Sequence, residues 1–104
     1  MTKKEYKEQL NALEADYEKK KRELDLAFAK RNNPVRIGDK VRSYNRYILV
    51  EKMTLFRPLG YNPCIKYFGT ELKKDGTPKK SGMKDSVFQM NVTEINGKPY
   101  KYEV

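Results

Sequence analysis

From Tyr6 onward, apolar residues recur in alternating steps of four and three: Tyr6, Leu10, Leu13 and Tyr17, then Leu24 and Ala27, with Lys20 where another is due. This is the spacing of a heptad seam, with Leu10, Tyr17 and Leu24 at a and Tyr6, Leu13, Lys20 and Ala27 at d. Thr2 and Glu5 have the spacing of a capping box, and Ala, Leu, Glu, Lys and Arg dominate the stretch without a Gly or Pro. The pattern predicts one amphipathic helix over residues 2–32. Asn32-Asn33-Pro34 ends it, because proline cannot continue the hydrogen-bond ladder and restricts the residue before it. At a rise of ~1.5 Å per residue such a helix is longer than the domain that follows is wide. Either it projects and meets another chain, with Asp16 at g and Lys21 at e placed to pair between parallel helices, or it lies across its own domain through Leu24 and Phe28.

Beyond Pro34 the period changes to two. Val35 to Val41, with Gly38-Asp39 as turn residues, leads into a first strand, and Tyr47 to Phe56 is an unbroken β-branched and aromatic run. Arg57 to Pro63 is a loop by composition, and Cys64 to Leu72 reads as the next strand. Lys73 to Asp85, holding Asp75-Gly76, Pro78 and Gly82, reads as a long hairpin loop. Ser86 to Ile95 is expected as one strand. Asn96-Gly97 suits a type I′ turn, in which both residues need positive φ, and Lys98 to Val104 then returns as the last strand. The fold class is therefore α+β: a coiled-coil-like helix over 1–33, then a basic β domain over 34–104. That domain is expected to be a small antiparallel barrel or curved sheet of about five strands.

Charge sharpens the picture. Lys and Arg number 23 against 14 Asp and Glu, a net +9, and residues 33–104 carry +7 of it. A positive excess favours anionic partners and also serves solubility. In the helix, Lys19-Lys20-Lys21-Arg22 is surrounded by Glu14, Asp16, Glu18, Glu23 and Asp25, so a membrane-surface or nuclear-signal reading of that run is poor. The absences exclude much chemistry. There is no histidine, which removes Ser-His-Asp and Cys-His catalysis and any His-containing zinc site. Cys64 is the only cysteine, so neither an intrachain disulfide nor an all-cysteine zinc site can form, and its expected place is as a small buried hydrophobe. No phosphate-cradling glycine loop is present. The expectation is a non-enzyme without cofactor or metal. With no apolar run of spanning length and a charged first segment, it is expected in the cytoplasm.

Two resemblances bear on this reading. Val35, Ile37, Gly38, Asp39 and Val41, followed by a long second strand, resemble the start of SH3-like barrels of the KOW and Tudor kind. The whole chain, with its charged helix, Asn-Asn-Pro, Gly-Asp and Glu-Leu-Lys-Lys-Asp-Gly-Thr-Pro hairpin, is similar to small uncharacterised proteins of phages and mobile elements of gut bacteria. The second likeness implies an accessory role in a phage or its host.

The candidate binding residues follow from charge and aromatic interleaving. Lys73, Lys74, Lys79, Lys80 and Lys84 surround Asp75 and Asp85 in the hairpin. A mobile lysine loop can follow phosphates, and it can equally be a solvated tip that guards the sheet against pairing. Arg42, Tyr44 and Arg46 fall in the first turn, where tyrosine beside arginine suits base stacking with phosphate contact, or a protein interface. Tyr6, Leu10, Leu13, Tyr17 and Leu24 are the candidates for oligomerisation, including a homodimer, or for docking. Together these predict a non-catalytic adaptor whose β domain binds nucleic acid or a nucleoprotein. The rival is a protein-binding inhibitor of a host defence nuclease, anti-CRISPR-like, or a virion assembly component.

Overall fold

The computed structural model describes residues 1–102. A single helix, α1 (Lys3–Arg31), is followed by β1 (Lys40–Ser43), β2 (Arg46–Phe56), β3 (Cys64–Leu72), β4 (Lys84–Phe88), a 3-10 turn (Gln89–Asn91), β5 (Glu94–Ile95) and β6 (Lys98–Pro99). The strands form one open, curved antiparallel sheet in the order β4-β3-β2-β1-β5-β6. The class is α+β, as the period change at Pro34 predicts. No described helix is long and apolar enough to cross a membrane.

Thr2 caps α1 as its spacing predicts: the Glu5 amide donates to Thr2 Oγ1 at 3.1 Å. The helix projects. Only its last two turns meet the sheet, through Asp25, Leu26, Phe28 and the fully buried Ala29, and the molecule measures 66 Å along its longest axis. Leu24 is 71% exposed, so the alternative of a helix lying on its domain through Leu24 and Phe28 holds for Phe28 alone.

The residues that end the helix also fasten it. Asn33 Oδ1 accepts from Tyr67 Oη at 2.5 Å and from the Val35 amide at 3.0 Å. The Asn32 carbonyl accepts from Gln89 Nε2 at 2.7 Å, while Gln89 Oε1 accepts from the Ile65 amide at 2.9 Å. Gln89 is thus a buried clamp between the helix end and β3. Burial raises the Tyr67 hydroxyl well above its ordinary pKa, so it stays a donor at any ordinary pH.

The core lies on the inner face of the sheet, where Val41, Ile48, Val50, Ile65, Tyr67, Val87 and Val92 pack with Ala29 and Val35. Cys64 is buried as expected, and burial raises its thiol pKa. Between Val50 and Lys52 the register slips by one residue, leaving Glu51 as a bulge opposite Gly69.

Two expectations need correction. The stretch Ser86 to Ile95 is not one strand, because β4 lies at one edge of the sheet whereas β5 pairs with β1, and the chain must turn at Gln89–Asn91 to get there. Six strands form, in keeping with the expected curved sheet of about five, the last two being a hairpin of two-residue strands. Its turn is as expected, with Asn96 at φ 52 and Gly97 at φ 81, but pairing spans only Lys98–Pro99 of the predicted Lys98 to Val104 strand. Beyond Pro99 the Tyr100 amide still donates to the Thr93 carbonyl at 2.9 Å, but residues 100–102 add no further strand. Residues 103 and 104 lie outside the described residues.

Candidate functional site

The uncovered outer face of the sheet gathers the candidate chemistry. Alternation along β1 puts Lys40 and Arg42 on this face, and the register sets Arg42 opposite Tyr47, itself opposite Leu72. The Arg42 guanidinium lies 5.3 Å from the centre of the Tyr47 ring, within cation–π range. Its Nη1 pairs with Glu94 at 3.0 Å and its Nε donates to the Tyr44 carbonyl at 2.7 Å. Arg42 is therefore held in place rather than free.

The long hairpin loop folds back beside this patch. Lys73 donates its amide to the Thr77 carbonyl at 2.7 Å, and the Thr77 amide and hydroxyl both donate to Asp75, which lowers the Asp75 pKa. The loop is a shaped turn, not a loose tether. It brings Lys74 and Gly76 over one side of a groove whose other side is the Asn96-Gly97 turn and whose floor is Arg42, Tyr47 and Leu72. A continuation of the groove reaches Lys73, Lys79 and Asn45. Five cations, Lys40, Arg42, Lys73, Lys74 and Lys79, thus line it beside the carboxylates Asp75 and Glu94, and Lys79 is paired with Glu71.

The other predicted residues separate by partner and by face. Lys79 pairs with Glu71 at 2.6 Å, and Lys84 with Glu51 at 2.8 Å and with Thr70. The Lys84 contact, then that of Thr70, holds the Glu51 carboxyl below its ordinary pKa. Among the described residues Lys40, Lys73, Lys74 and Lys80 form no ion pair within 4 Å. Arg46 is not with Arg42. It stands opposite the inward-facing Ser43 and reaches Asp85 at 3.6 Å, drawing the curled β4 edge toward the β1–β2 turn. Lys40 and Leu72 were not candidates from sequence; for Lys40 the signal was there, two residues before Arg42 in a period-two strand. No group of three metal-binding side chains occurs among the described residues.

Tyr44 is the outlier. It is 70% exposed and occupies φ 55 as first residue of the two-residue turn between β1 and β2. A bulky residue there is strained, by on the order of 1–3 kcal/mol. Burial of the ring does not offset that strain. Tyr44→Gly is expected to stabilise the protein by about 1 kcal/mol in denaturant unfolding. Loss of stability on that replacement would show that the ring supports the fold.

The tyrosine, seam and hairpin residues stand without outside comparison: the chain matches no family model, and neither curated proteins nor solved structures return a similar one.

Proposed function

We propose that the protein is a non-catalytic adaptor whose β domain binds nucleic acid, as an electrostatic track along the outer groove, while α1 oligomerises or docks. The observation that carries this reading is the convergence of Lys40, Lys73 and Lys74, all without ion pairs among the described residues, on a groove floored by Tyr47 and Leu72. Such lysines can neutralise successive phosphates without reading sequence, and the exposed Tyr44 in the neighbouring turn suits stacking of an unpaired base. The SH3-like reading of the β domain belongs to the same proposal. It is supported by the return of β5 to pair with β1 after a 3-10 turn, which curls the sheet toward a barrel.

The test is titration of fluorescent single-stranded and duplex DNA and RNA across a range of salt. Binding is expected near ~10⁻⁴ to 10⁻⁶ M at about physiological salt, weakening steeply as salt rises. Replacing Lys40, Lys73 and Lys74 together by Gln should lower the log–log salt slope by about 2 to 3, at roughly 0.9 per lost phosphate contact. Lys84→Gln, whose ammonium already faces Glu51 and Thr70, should change it little. No detectable binding by the parent chain would overturn the reading and leave a protein target.

A further inference from the structure

The projecting part of α1 carries an apolar stripe with nothing on it: Tyr6, Leu10, Leu13, Tyr17 and Leu24 are between 39% and 71% exposed. The sheet meets the helix through Asp25, Leu26, Phe28 and Ala29, beyond the C-terminal end of the stripe, so the stripe itself is open. We propose that a second copy of this chain covers its stretch from Tyr6 to Tyr17 in antiparallel orientation, with residues 3–20 of one helix against residues 20–3 of the other. This rests on the oligomerising role proposed for the helix and not on the nucleic-acid reading.

Three observations select this occupant and direction. The first is layer matching. In that register Tyr6 meets Tyr17 of the second copy, and Leu10 meets its Leu13, giving four unbroken apolar layers by symmetry. A parallel pair instead sets Lys20 against Lys20 at a core position, and a lysine in that seam lowers stability. Lys20 is already engaged on its own helix, pairing with Asp16 at 3.0 Å, and the antiparallel register moves it from mid-seam to the end of the overlap, opposite Lys3 in the first turn of the other helix.

The second is charge complementarity. Antiparallel helices juxtapose e with e and g with g, which places Lys7 beside Glu14 of the other copy, twice per dimer. A parallel pair would use Asp16 with Lys21, but Asp16 already has Lys20. The third is the β domain. Residues 33–104 carry a net +7, and a parallel pair would hold two such domains side by side at one end. The antiparallel pair sends them to opposite ends, with the helix segment holding the sheet just beyond the shared overlap.

The experiment uses the full chain. Sedimentation over a concentration series should show twice the 12.3 kDa chain mass. Small-angle scattering of the dimer should give a maximum dimension of about 100 Å, since two 66 Å molecules would share ~27 Å of helix. Lys7→Glu is expected to raise the dissociation constant about tenfold, and adding Glu14→Lys in the same chain should restore it, because the two exchanged charges then attract each other across the dimer. Unchanged unfolding of the β domain keeps each variant interpretable. A monomer at every concentration overturns the oligomerising role itself. A dimer whose maximum dimension stays near that of one chain, or a Lys7→Glu defect that Glu14→Lys does not repair, overturns the antiparallel arrangement alone.

Discussion

Gly69→Ala is expected to cost more than about 4 kcal/mol, most of the stability of a domain this size. The reason is local and geometric. A Cβ on Gly69 would fall 1.6 Å from the Leu49 carbonyl oxygen, 2.7 Å from its carbon and 3.2 Å from the Glu51 amide nitrogen. All three are backbone atoms of the paired strand at the bulge, so none can swing aside as a side chain would. Relief requires β2 and β3 to separate where they carry most of the core, including Val50 and Tyr67. Urea unfolding of parent and variant measures it. A variant within about 0.5 kcal/mol of the parent would mean that the strands do not approach so closely at the bulge.

Gln89→Ala is expected to cost about 2–5 kcal/mol and to loosen the junction between helix and sheet. The side chain is 1% exposed, and its two polar atoms serve the Ile65 amide and the Asn32 carbonyl. Truncation leaves both backbone groups without a partner, at about 1–3 kcal/mol for each stranded group, and opens a small cavity. The effect should be directional: amides of the last turns of α1 should exchange hydrogen faster relative to those of β2. Gln89→Glu keeps an acceptor for Ile65 but turns a like-charged oxygen toward the Asn32 carbonyl, so it should also destabilise at neutral pH. Burial raises the pKa of that introduced carboxyl, and the loss should be partly recovered as pH falls and it protonates to become a donor. Uniform exchange across helix and sheet in the alanine variant would deny Gln89 the clamping role.

The helix and the central strands were legible from the chain because their signals are short-range. Thr2 and Glu5 set the start of α1, Asn32-Asn33-Pro34 its end, and alternation of buried and outward residues marked β2 and β3 nearly to the residue. The Asn96-Gly97 turn is of the same kind: both residues tolerate positive φ, and that tolerance is a property of the residues themselves. The polar clamp was not legible. Asn33 read as a helix breaker and Gln89 as a position within a strand, since nothing in either residue tells which distant amide or hydroxyl it will meet.

The candidate binding surface divides in the same way. Its basic, aromatic character is a matter of composition, and the clustering of lysines between β3 and β4 is visible along the chain. Their assembly is not. Arg42 and Arg46, four residues apart, part to opposite faces because a two-residue turn sets Arg42 against Tyr47 and Ser43 against Arg46. Lys40 and Lys74, far apart in sequence, meet across one groove because β2 pairs with both β1 and β3. Backbone preference and hydrophobic period act over a few residues and so settle the elements in advance. Strand order, register and the partners of buried polar groups are decided by packing between segments tens of residues apart, and only the folded chain brings those together.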